Sequence, residues 1–112
     1  MGWIPRFEQE LQSAQNARSA GNEGQARVCA RRAAGIVARE YLDRLGIRTN
    51  SSSAYDMLVQ LQAIKLDDSA ISQVVSELLM QVDIDHKLPE DVDLITDAVW
   101  LASHLLSYDN HP

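Results

Sequence analysis

The side chains able to do chemistry in this 112-residue chain are unevenly placed. The three histidines, His86, His104 and His111, lie in the second half, far in sequence from the single cysteine, Cys29. No nucleophile with its base can be assigned from that arrangement. Cys29 stands among alanines, cannot form an internal disulfide, and reads as a small buried side chain. Asp83 and Asp85 alternate ahead of Glu90, Asp91 and Asp93, which suggests a calcium loop, but the central glycine and closing glutamate of an EF-hand are missing. Those later carboxylates have a plainer use at a helix start after Pro89, where the helix dipole favours negative charge. No glycine-rich phosphate loop, zinc-ligand cluster, nucleophile elbow or paired-cysteine motif occurs. The chemistry read from these residues is therefore noncatalytic, with no metal site and no cofactor.

Charge is the stronger signal. All eight arginines precede Asp56, and the net charge is +2 up to that residue and −8 from Met57 onward. Either the two halves attract each other within one fold, or a basic surface meets a partner, which could be a second copy's acidic half. The overall charge of −6 argues against strong, nonspecific nucleic-acid binding and leaves room only for a local arginine patch. Arg27 and Arg31 project near Ala34, Ala38 and Leu45, on a face that otherwise packs. Their stems lie along the core with the heads in water, or they meet carboxylates or another anion. Trp100 projects among Asp93, Thr96, Asp97, Ser103, His104 and Ser107, with Tyr108 nearby, so a large aromatic stands on a polar face. Another segment covers it, Trp3 being the candidate, or it contacts a partner. Trp100, Arg27, Arg31 and Arg48 are accordingly the partner-contact candidates.

These residues must be positioned by helices. The central one is expected over Glu23 to Leu45, where Ala26, Ala30, Ala34 and Ala38 recur every fourth position and give a neighbouring helix a close approach. Val37, Tyr41, Leu42 and Leu45 fill its C-terminal end, Gly46 stops it, and Gln25, Arg32, Arg39 and Asp43 form a narrow wet strip. Before it, a helix from about Pro5 to Ala20 carries Trp3, Ile4, Phe7, Leu11 and Ala14 and stops at Gly21-Asn22. After the polar connector Arg48 to Ser53, a third helix opens on a capping box of Ser53 and Asp56, with Ala54, Met57, Leu58, Leu61 and Ile64 on one face. Asp67, Asp68 or Ser69 caps a fourth, carrying Ile71, Val74, Val75, Leu78, Leu79 and Val82, with Met80 exposed opposite. A last helix from about Pro89 buries Leu94, Ile95, Ala98, Val99, Leu101, Ala102, Leu105 and Leu106.

The fold class is thus all-α: an up-and-down bundle of four main helices plus a short additional one, built around a long second helix. Residues 1–108 form a single domain and 109–112 a frayed tail. No apolar run approaches the roughly 18 residues that span a bilayer. Met1 to Arg6 lacks the layout of a signal peptide, so a cytoplasmic chain without membrane contact is expected.

The order of features resembles the HEPN superfamily of small helical-bundle domains. The likeness is carried by the helix Ala26 to Leu42, the Leu45-Gly46-Ile47 exit and the run Ser53-Ala54-Tyr55-Asp56-Met57-Leu58. It extends from about Trp3 to Leu106. Many members of that superfamily are ribonucleases, often of toxin–antitoxin systems, using an arginine followed a few residues later by a histidine across a dimer interface. Here no histidine follows Arg44 or Arg48 at such spacing. Tyr55 precedes Asp56 where similar members place a histidine, and a phenol with an ordinary pKa of about 10 is a poor general base near neutral pH. The resemblance therefore implies a noncatalytic HEPN-like interaction or assembly module, homodimeric or bound to another protein. The alternative is a divergent ribonuclease or a nucleotide- or RNA-binding regulator with Arg48 and Tyr55 at its site.

Overall fold

A computed structural model describes residues 2–65, 67–80 and 92–109. Among the described residues five helices follow in order: α1 (Ile4–Ser19), α2 (Glu23–Arg44), α3 (Ala54–Ile64), α4 (Ser69–Leu79) and α5 (Leu94–Leu106). Successive helices pack against one another, and α2, the longest, touches all four others. The expected all-α bundle with a central second helix is what the chain forms. The Asp83–Asp91 segment with His86, Val82 and the tail residues 110–112 lie outside the described residues.

The helix ends follow from local chemistry. At the end of α1, Gly21 takes φ +80°, and the N–H groups of Gly21 and Asn22 bond to the carbonyls of Arg18 and Ala17, closing a Schellman motif. Asn22 then caps α2, its Oδ1 accepting from the Gln25 N–H at 3.1 Å. The same motif ends α2: Gly46 has φ +77°, its N–H bonds to the Asp43 carbonyl, and Ile47 N–H bonds to Leu42. Ser53 Oγ caps α3 by accepting from Asp56 N–H at 3.3 Å, but Ser53 N–H donates to Ser51 Oγ, so the capping box is met from the other side. Asp68 caps α4 and Asp93 caps α5, which therefore starts at Leu94 and not near Pro89.

Ala26, Ala30, Ala33, Ala34 and Ala38 are all fully buried on α2, together with Val37 and Leu42. Against them pack Phe7, Leu11 and Ala14 of α1, Leu58 and Leu61 of α3, and Leu94, Ala98, Leu101 and Ala102 of α5. Cys29 is buried as expected. Three apolar residues assigned to the core face water: Ile4, Leu45 and Ile64 are 40%, 51% and 43% exposed. Each stands at a helix terminus. At the α2 exit, Ile47 packs on the core in place of Leu45. Met80, expected to be exposed, is half-buried.

Candidate functional site

A groove of about 580 Å³ opens between α1, the outer face of α2 and the first turn of α3. Its shape originates in one close approach. A Cβ placed on Gly35 would lie 2.5 Å from Ala54 Cβ and 2.7 Å from Ala54 Cα, so only glycine lets α3 begin so close to α2. That contact seats Ser53, Ala54 and Tyr55 as one wall of the groove, while Trp3, Arg6 and Glu10 of α1 line the other side. Between them runs a stripe of α2, Val28, Arg32, Ile36, Arg39 and Asp43, whose spacing of four, four, three and four keeps them on one helix face.

The stripe alternates apolar and charged groups. Val28 and Tyr55 are 37% and 46% exposed, unusually open for side chains of their kind. Arg6, Arg32 and Arg39 are exposed and meet no carboxylate among the described residues. Glu40, which also lines the groove, is held by Arg44 at 3.0 Å. The groove therefore presents three uncommitted guanidinium groups beside an apolar floor, with Glu10 and Asp43 as nearby acids. Such a surface can hold carboxylates or phosphates through paired N–H donors and bury aliphatic groups between them.

The partner-contact candidates read from the sequence do not come together. Arg31 also lines the groove, but its head is committed: Nε donates to the Leu78 carbonyl at 2.7 Å and a terminal nitrogen to the Met80 carbonyl at 3.3 Å. It thereby closes the C-terminal end of α4, where unpaired carbonyls favour a cation. Burial pushes Arg31 below the usual arginine range. Arg27 turns to Glu23, 4.0 Å away. Arg48 is exposed in the connector and is not among the residues lining the groove, whereas Tyr55 is.

Trp100 is half-buried against the core and stacks on His104, centroids 4.5 Å apart and planes 11° from parallel. The cover expected from Trp3 is absent from its ring contacts. Trp3 is buried against Phe7 and Tyr108 instead, with centroids at 5.4 and 5.8 Å. Tyr108, expected near Trp100, belongs to that aromatic cluster and donates its hydroxyl to Glu8 at 2.7 Å. Burial and the Glu8 carboxylate push its phenol up to about 12.

Two charged clusters escaped the sequence reading. Arg18 forks onto Glu23, with nitrogens 2.8 and 3.0 Å from its oxygens, and reaches Asp93 at 3.2 Å, tying the end of α1 to the starts of α2 and α5. This pair joins the basic and acidic halves of the chain. The Arg18 hydrogen bonds hold Glu23 below the usual carboxylate range; at Asp93 burial opposes, and the Thr96 N–H and Arg18 outweigh it. On α5, Asp97 lies against Glu77 of α4. Burial first, then the Glu77 carboxyl, push Asp97 up to about 7, and its Oδ2 is buried with no hydrogen-bond partner among the described residues.

Among the described residues no group of three or more histidine, cysteine or acidic side chains is placed to hold a metal ion, and no helix is long and apolar enough to cross a membrane. Comparison with protein-family models, with curated proteins and with solved structures finds no match for this chain.

Proposed function

We propose that the chain is a noncatalytic interaction module and that the α1–α2–α3 groove is its contact surface. One observation carries this reading: Arg6, Arg32 and Arg39 surround a concavity floored by Val28 and Ile36, and none of the three is held in an ion pair among the described residues. Charged groups spent within a fold stabilise that fold, as Arg18 and Arg31 do here. Guanidinium groups left open beside water-facing apolar side chains are the usual composition of a contact surface.

Peptide-display selection against the immobilised chain tests the reading. Peptides should be enriched on the wild type and lost on a Val28→Ser/Tyr55→Ala variant, in which both changed side chains are already exposed. Enrichment that is equal on both, or absent from the wild type, removes the groove as a contact surface. Light scattering at low and high salt tests the homodimer implied by the HEPN-like resemblance: a mass of 12.5 kDa at both removes it.

Tyr55 sharing the groove with three arginines favours a second reading, an RNA- or nucleotide-binding regulator in which the phenol stacks on a base and arginines meet phosphate. Titration of a single-stranded RNA against wild type and Tyr55→Ala separates it from the first; cleavage measured on the same RNA tests the divergent ribonuclease.

A further inference from the structure

Building on the groove as a contact surface, we infer that its occupant is an acidic, amphipathic helical segment of another protein. The α2 stripe supplies the template. From Val28 to Arg39 it advances about 16 Å at 1.5 Å per residue, the length of three helical turns. Along it, apolar and basic groups alternate: Val28, Arg32, Ile36, Arg39. A helix laid in the groove with apolar residues three and four apart would seat them on Val28, Ile36 and Tyr55, and carboxylates flanking that stripe would meet Arg6, Arg32 and Arg39.

The charge balance selects this occupant over a nucleic acid. Glu10, Glu40 and Asp43 line the same groove, and the chain carries −6 overall. A continuous phosphate backbone would meet those acids as well as the arginines, whereas separately placed carboxylates can avoid them. An extended strand is disfavoured for a different reason. The walls are helices, and no sheet edge exists among the described residues to pair with its backbone.

Fluorescence anisotropy with three labelled probes tests the inference. The first is a peptide of about 16 residues with leucine at every third and fourth position and glutamate elsewhere. The second replaces each glutamate by glutamine, and the third is a single-stranded RNA of similar length. The glutamate peptide should bind at least about 10-fold more tightly than the glutamine peptide. The Arg32→Gln/Arg39→Gln variant should lose most of that difference while keeping its helical circular dichroism, because both side chains are exposed and neither holds another part of the fold among the described residues.

Equal affinity for the two peptides, or an acidic preference that survives in the variant, overturns the inference and leaves the contact surface standing. Tighter binding of the RNA than of the glutamate peptide overturns it in favour of the nucleic-acid reading. If neither peptide binds and display selection also fails, both the inference and the interaction reading fall.

Discussion

Replacing Asp97 by asparagine should change how stability depends on pH, in a direction set by the half-buried pair it forms with Glu77. In the folded chain Asp97 holds its proton up to about pH 7, against an ordinary carboxyl value of 3.8. Between those values the folded state binds a proton that the unfolded state has released, so stability falls as pH rises from about 4 to about 7 and is flat above. A shift of about 3 units corresponds to at most about 4 kcal/mol at 1.36 kcal/mol per unit. Asp97 is only partly withdrawn from water, and solvent screening reduces the expected effect to about 1–2 kcal/mol.

Asparagine is neutral at every pH and can donate its amide N–H to Glu77. The variant should therefore match the wild type near pH 5 and exceed its stability by about 1–2 kcal/mol at pH 8. Urea unfolding followed by circular dichroism from about pH 4.5 to 8.5 at constant ionic strength reads this directly. Starting at 4.5 keeps the Asp93 and Glu23 contributions out of the window. Their folded values are depressed, so their stabilisation is present above the unfolded values and is lost only as pH falls through the lower folded ones. A variant-minus-wild-type difference that stays constant across the range, or grows towards acid, would refute the assigned pair.

Two further substitutions probe the packing around the groove. Gly35→Ala should destabilise by about 1–3 kcal/mol despite alanine's better helix propensity, because the added methyl meets Ala54 Cβ and Cα; unchanged urea midpoints would show that α3 shifts freely. Arg31→Met keeps the aliphatic stem but strips the donors from the Leu78 and Met80 carbonyls, and should cost about 1.5–3 kcal/mol. Faster hydrogen exchange confined to the last turn of α4 is the local signature of that loss, and its absence would count against Arg31 as the cap of that helix.

Periodicity made the helices and most of the core legible, because a buried face repeats along the sequence whatever lies opposite it. It overextended that face at Ile4, Leu45 and Ile64, since a one-dimensional pattern runs on to a helix terminus whether or not anything packs over it there. The groove was only half visible. Arg32 and Arg39 were rightly placed on the wet side of α2, but Val28 and Ile36 between them are the signal that would have marked it as more than a solvated strip. Arg6 joins them only through the packing of α1, and Gly35 lies off the ridge of Ala26, Ala30, Ala34 and Ala38. Arg31 was correctly placed along a packed face. Its partners, two backbone carbonyls nearly fifty positions away, have no sequence signature at all. Trp100 looked stranded because Asp97 and His104 are polar by type, although one is partly withdrawn from water and the other stacks on its ring.

The three residues joining α1 to α2 have a kinetic consequence. Asn22 closes one helix with its backbone and opens the next with its side chain, so this hairpin is fixed by contacts between near neighbours in sequence. Closing so short a loop costs little entropy, and α1 and α2 can begin to pair before distant parts of the chain have met. α5 must wait for a closure spanning almost half the molecule before it can dock on α2. The first two helices are thus the natural folding nucleus, and destabilising changes there should slow folding, whereas those on α5 should mainly hasten unfolding.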